Sequence, residues 1–159
     1  MIVIKLILIS CIGLISYQDI KDRQVYWFLY PILGISSAIL FYNSTLPELF
    51  FVSIGMNLLF VLTLIIILIV YAKMKLKMKI NEAIGLGDIL LFFGLVFSFS
   101  TLSFLVLFVF SLLFSLILHL IVKKYSKWPS VPLAGYISLF YGIAYALHWS
   151  GFTNSLYAY

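Results

Sequence analysis

Two aspartates, Asp19 and Asp88, stand at the ends of apolar runs in a chain that has few other acids. Only five of the 159 residues are Asp or Glu. A carboxylate at membrane depth is costly to bury, so its presence there indicates a functional site. Two neighbouring carboxylates that share one proton can act as general base and general acid when water splits a bond. We therefore take Asp19 and Asp88 as the candidate catalytic pair.

The composition is that of an integral membrane protein. Apolar residues make up 65% of the chain and charged residues only 9%, far outside the range of soluble globular domains. The length fits one domain over residues 1–159, and no linker or low-complexity tract divides it. Because a membrane span must satisfy its own backbone hydrogen bonds, the apolar runs are predicted to be helices. The predicted fold is all-α and polytopic.

Six apolar runs predict six transmembrane helices. They cover approximately residues 2–18, 25–42, 50–72, 88–99, 101–121 and 132–149. The fourth has about 12 residues, or roughly 18 Å of helix, which is shorter than a hydrocarbon core of about 30 Å. Asp88 would therefore start its helix at or just inside the membrane surface. Gly85 and Gly87 before it permit positive φ and close approach of another backbone.

The basic residues predict the orientation. Every Lys and Arg except Lys5 falls between spans one and two, three and four, or five and six. By the positive-inside rule these loops are cytoplasmic and both termini lie outside, in a multi-pass protein of the cell (inner) membrane. Both aspartates then lie towards the cytoplasm. The net charge of +5 indicates contact with anionic membrane lipids and requires no nucleic acid partner.

The remaining polar candidates carry weaker signals. Asp22 and Glu82 are either solvated loop acids or groups that attract a basic peptide. His119 and His148 are predicted towards opposite sides of the membrane, so they could not readily share a metal. With a single cysteine, Cys11, there is no cysteine zinc site. We expect neither a metal nor a cofactor.

The segment Gly85-Leu86-Gly87-Asp88 resembles the Gly-x-Gly-Asp signature of the type IV prepilin peptidases, a family of membrane aspartic proteases. The family's other motif, an Asp after the first core span followed by a basic polar loop, is similar to Asp19-Ile20-Lys21-Asp22-Arg23-Gln24. The resemblance implies that Asp19 and Asp88 are the catalytic pair and that residues 85–87 form the active-site loop. It also implies the function, which is removal of the basic leader peptide from type IV pilin-like precursors at the cytoplasmic face.

The sequence departs from the family pattern in three places. Val25-Tyr26-Trp27 stands where Ile-Pro-Asn is frequent, and Leu90 stands where a Lys often follows the second Asp. Without a positive charge at position 90, the ionised form of Asp88 would lack a stabilising interaction. Many bacterial members carry an N-terminal segment with paired cysteines that is linked to methylation. That segment is not found in this sequence, so we expect peptidase activity without methyltransferase activity.

Two other classes of function remain open. A small proton- or ion-coupled transporter would use Asp19 and Asp88 as a proton relay. Such a protein usually places its acids near the bilayer midplane, on broken helices of two repeated halves. Here both acids are predicted near one face and no repeat is evident, which favours the peptidase. A scaffold protein without catalytic activity is the third class.

Overall fold

The computed structural model describes residues 1–76, 85–123, 131–152 and 156–157, which form helices and no strand. This confirms the predicted all-α class. A π-helical turn, Ala72–Leu76, continues the third helix. The α-helices among these described residues are α1 (Ile2–Asp22), α2 (Leu29–Tyr42), α3 (Pro47–Tyr71), α4 (Leu86–Leu95), α5 (Thr101–Val122) and α6 (Leu133–Trp149).

The first helix extends beyond its predicted end near residue 18. Lys21 Nζ donates a hydrogen bond to the Tyr17 hydroxyl one turn earlier, at 2.9 Å, and this pair supports the extra turn. The helix ends where Arg23 adopts a left-handed conformation with φ of 58°. Asp19 therefore lies within the last turn of α1 rather than beyond the helix.

The fourth helix starts and ends earlier than the predicted range of 88–99. Gly85 is its N-cap, so Asp88 lies in the first turn instead of opening the helix. At the other end, the buried Asn57 of α3 donates from Nδ2 to the carbonyls of Val96 and Phe99, both at 3.0 Å. Carbonyls after the last helical turn lack intrahelical partners. The Asn57 amide satisfies two of them and lets the chain turn towards α5.

Within the described residues, three helices are long and apolar enough to cross a membrane. These are α1, α3 with its continuation to Met74, and α5. The apolar helices α2 and α4 have 14 and 10 residues. At 1.5 Å per residue they reach roughly 21 Å and 15 Å, which is less than a hydrocarbon core of about 30 Å.

The helices pack so that α1 contacts α2 and α6, α6 contacts α5, and α2 contacts α4. Aromatic side chains hold α4 in place. The ring of Phe92 lies 5.1 Å from that of Phe108 on α5. Just after α4, Phe99 stacks on Tyr141 of α6 at 5.8 Å. Edge and offset contacts at these separations stabilise aromatic cores beyond simple burial, and they hold the second half of α4 against α5 and the segment after α4 against α6.

The helices α2 and α4 approach each other closely through two glycines. An ideal Cβ added to Gly94 would lie 3.1 Å from the carbonyl oxygen of Tyr30, and one added to Gly34 would lie 3.5 Å from the Cα of Gly94. Small residues permit such close packing of helices in membranes. The contact brings the side chain of Tyr30 to the beginning of α4.

Candidate active site

Asp19 reaches the candidate site from the last turn of α1. Its side chain is half-buried, and Oδ2 accepts a hydrogen bond of 2.6 Å from the backbone N–H of Gly135. An ideal Cβ on Gly135 would lie 3.2 Å from both Cβ and Oδ2 of Asp19. The absence of a side chain at position 135 therefore allows this carboxylate to approach α6.

Asp88 reaches the same place from the first turn of α4. It too is half-buried, and its Oδ1 accepts a hydrogen bond of 3.0 Å from the backbone N–H of Ala134. The backbone of Gly85 also hydrogen bonds to this carboxylate. Asp88 is thus held both by its own helix start and by α6.

The N-terminus of α6 holds both carboxylates. Ala134 and Gly135 belong to the first turn of the helix, whose N–H groups lack intrahelical partners. These groups carry the positive end of the helix dipole, which stabilises negative charge. Asp19 and Asp88 interact electrostatically with each other. Two carboxylates this close cannot both ionise cheaply, so an arrangement that shares one proton is favoured.

The two aspartates line one cavity of about 890 Å³. The segment predicted as the active-site loop contributes Gly85, Leu86 and Gly87 to its wall. Leu112 and Leu116 of α5 supply an apolar side. The cavity therefore combines a pair of acids with a surface suited to apolar side chains.

Arg23 is the basic residue among the described residues that line this cavity. It interacts electrostatically with both Asp19 and Asp88. Its left-handed backbone, with φ of 58°, ends α1, and its backbone N–H donates to the carbonyl of Asp19, as is common at helix C-termini. Arg23 thus brings a positive charge to the pair from the end of α1, whereas position 90 of α4 carries the uncharged Leu90.

Tyr30 of α2 is a site residue that the sequence analysis missed. Its side chain is only 2% exposed, and it lines the cavity with both aspartates. An ideal Cβ on Gly87 would lie 2.8 Å from its hydroxyl oxygen. Tyr30 stands within an apolar run, so nothing in the sequence separates it from an ordinary core aromatic residue.

No protein-family model, curated protein or solved structure matches this chain. The resemblance to prepilin peptidases therefore depends on the two aspartate motifs.

The glycines of the active-site loop serve the site through the space they leave rather than through an unusual backbone. Gly85 has φ of −66°, and Gly151 is the glycine with positive φ among the described residues, so neither Gly85 nor Gly87 uses the positive φ that glycine permits. The close approach expected there involves side chains, namely the Asp88 carboxylate at Gly85 and the Tyr30 hydroxyl at Gly87. Asp22 is exposed and is not among the cavity-lining residues. Glu82 lies outside the described residues.

The potential metal ligands are scattered through the described part of the chain. No three His, Cys, Asp or Glu side chains come together there as a ligand set. His119 is buried in α5, and the thiol of Cys11 donates to the Leu29 carbonyl at 3.0 Å. Neither residue lines the cavity.

Proposed function

We propose that this chain is a membrane aspartic endopeptidase with Asp19 and Asp88 as its catalytic pair. One observation carries the proposal: two carboxylates from different helices meet at one cavity, each held by one of two consecutive backbone amides. A structural ion pair would need one acid for the base Arg23, whereas this site places two acids beside it. The proximity favours one ionised and one protonated carboxyl group, which is the state that acid–base catalysis needs.

In the proposed reaction, the ionised carboxylate takes a proton from a water molecule as the water oxygen attacks the scissile carbonyl carbon. The protonated carboxyl group donates its proton to the carbonyl oxygen, which gives a tetrahedral diol. When the C–N bond breaks, one carboxyl group returns a proton to the leaving nitrogen and the other takes one from the diol. The amides of Ala134 and Gly135 keep both carboxylates oriented throughout.

The proposed substrates are type IV pilin-like precursors, which carry a basic leader before an apolar helix. In the proposed topology six spans cross the cell (inner) membrane with both termini outside, which places the site towards the cytoplasm. The exposed Asp22 and Glu82 would attract the basic leader. The apolar wall of Leu112 and Leu116 suits the first apolar residues of the precursor helix. The proposed activity is cleavage without methylation of the new N-terminus.

The experiment is to incubate the purified protein in liposomes with synthetic precursors that carry a basic leader, a glycine and an apolar helix. Mass spectrometry would locate each cut. We expect the wild type and Asp22→Asn to release the leader and Asp88→Asn to release none. If the wild type cut no precursor, or if Asp88→Asn cut normally, the peptidase proposal would be wrong. Proton flux that depends on Asp19 and Asp88 in the same liposomes would then support the transporter alternative.

A further inference from the structure

The hydroxyl of Tyr30 is buried without a partner in the described part of the protein. The residue is 2% exposed, and its hydroxyl oxygen has no hydrogen bond there. Buried polar groups are nearly always hydrogen bonded, because leaving one unsatisfied costs free energy. Because Tyr30 lines a cavity, a molecule bound there is a candidate for the missing partner.

The position of this hydroxyl relates it to the two acids. Tyr30 lines the same cavity as Asp19 and Asp88 and interacts electrostatically with both of them. Among the described residues that line the cavity, Tyr30 carries the one hydroxyl group. Tyr141 makes a useful contrast, because its buried hydroxyl also lacks a partner there but the residue does not line the cavity.

The surrounding backbone holds the hydroxyl in one place. Gly94 packs against the carbonyl of Tyr30, with an ideal Cβ only 3.1 Å away, and Gly87 leaves room for the hydroxyl itself. A Tyr side chain has few rotatable bonds, and here both its backbone and its tip are confined. A donor fixed in this way needs no reorganisation during a reaction, which is the condition under which hydrogen bonds best stabilise developing charge.

From these observations we propose that Tyr30 is a third catalytic residue, whose hydroxyl donates a hydrogen bond to the carbonyl oxygen of the scissile peptide. The inference rests on the proposed peptidase function. As water adds to the carbonyl carbon, negative charge develops on that oxygen and the hydrogen bond from Tyr30 strengthens. Tyr30 transfers no proton, since the two carboxyl groups perform both transfers. Gly87 then serves to leave the space that the hydroxyl occupies beside the active-site loop.

The test compares Tyr30→Phe with Tyr141→Phe in the liposome cleavage assay. Both variants remove a buried hydroxyl that has no partner in the described structure, but only the first changes the cavity. We expect Tyr30→Phe to lower kcat about a hundredfold, as the loss of one oxyanion donor does elsewhere, with little change in KM or Tm. Tyr141→Phe should keep the wild-type kcat. Gly87→Ala, which would crowd the hydroxyl, should lower kcat in the same direction as Tyr30→Phe.

The possible outcomes separate this inference from the proposed function. If the wild type cleaves, Asp88→Asn does not, and Tyr30→Phe keeps its kcat, the role of Tyr30 is overturned and the peptidase stands. If Tyr30→Phe lowers Tm together with kcat, the hydroxyl has a structural partner and the catalytic role is again overturned. If the wild type cleaves nothing, the proposed function fails and the role of Tyr30 fails with it.

Discussion

Asp19 and Asp88 accept hydrogen bonds from two consecutive residues of α6, Gly135 and Ala134. Because adjacent amides of one helix turn have fixed spacing, this arrangement sets the separation of two side chains that come from different helices. The N-terminus of α6 also supplies the positive end of a helix dipole, which offsets part of the cost of placing two acids together. The geometry of the pair therefore depends on α6 as much as on α1 and α4.

Replacing either aspartate by asparagine should abolish peptide release, because an amide keeps the shape but cannot accept the proton of water. The carboxyl groups act as one unit, so the Asp19→Asn/Asp88→Asn double variant should be hardly worse than either single variant. Asp22→Asn, in the same helical turn as Asp19 but exposed, should lose little activity, because a solvated acid only helps to attract the basic leader. The measurement is leader release at equal protein amounts. Near-normal turnover by Asp88→Asn would contradict the assignment.

Gly135→Ala should displace Asp19 and lower activity roughly 10- to 100-fold, as small misplacements of catalytic groups do. The added Cβ would lie 3.1 Å from Ile20 Cγ1 and 3.2 Å from Asp19 Oδ2. Gly55→Ala is the control, because a Cβ there meets nothing within 4 Å. It should raise stability by roughly 0.5–1 kcal/mol and leave cleavage unchanged. Equal activity of the two variants would show that the approach of Asp19 to α6 is not required.

The sequence predicted part of this site because a carboxylate among apolar residues is rare, which singled out Asp19 and Asp88. It could not predict the partners of these carboxylates, since Ala134 and Gly135 contribute backbone N–H groups that every residue except proline possesses. Tyr30 was missed for a similar reason. Its functional position depends on the packing of α2 against α4, and an aromatic residue in an apolar run looks like core.

The ends of the helices also depend partly on local sequence and partly on residues that are distant in the chain. The range of α5 was predicted closely, because a continuous apolar run ends at Lys123 and marks its boundary. The end of α4 at Leu95 was predicted too late, since Asn57 of α3 determines it by binding the carbonyls of Val96 and Phe99 from 39 and 42 positions away. No pattern within the fourth apolar run carries that information.

The proposed topology predicts that reporters fused after Arg23, Lys79 and Lys127 will be cytoplasmic and that a reporter fused after Ser44 will be outside. The physical reason is that the basic loops remain on the cytoplasmic side during insertion. Paired reporters that are active on opposite sides of the membrane provide the measurement, with each fusion serving as control for the next. An inverted pattern would place Asp19 and Asp88 on the outer side, away from a cytoplasmic leader peptide.

Asn57→Leu should destabilise the protein by roughly 1–3 kcal/mol, because the carbonyls of Val96 and Phe99 would lose their side-chain donor in a buried place. Unfolding by denaturing detergent provides the measurement. Thr63→Val on the same helix is the control, since its hydroxyl only donates to the Leu59 carbonyl one turn earlier and is exposed. If Asn57→Leu were as stable as Thr63→Val, the two bonds would not account for the end of α4.

Gly94→Ala and Gly34→Ala test how the α2–α4 contact positions the site. A Cβ on Gly94 would lie 3.1 Å from a backbone oxygen, that of Tyr30, whereas a Cβ on Gly34 would make ordinary contacts of 3.5 Å. Backbone cannot move aside as a flexible side chain can, so Gly94→Ala should push α2 from α4 and separate Tyr30 from Asp88.

We expect Gly94→Ala to lower stability by roughly 1–3 kcal/mol and to lower cleavage as well. Gly34→Ala should change both quantities much less. Thermal unfolding and leader release measured on the same preparations provide the comparison. Equal behaviour of the two variants would mean that the helices can separate without cost, and that Tyr30 is not held in place by Gly94.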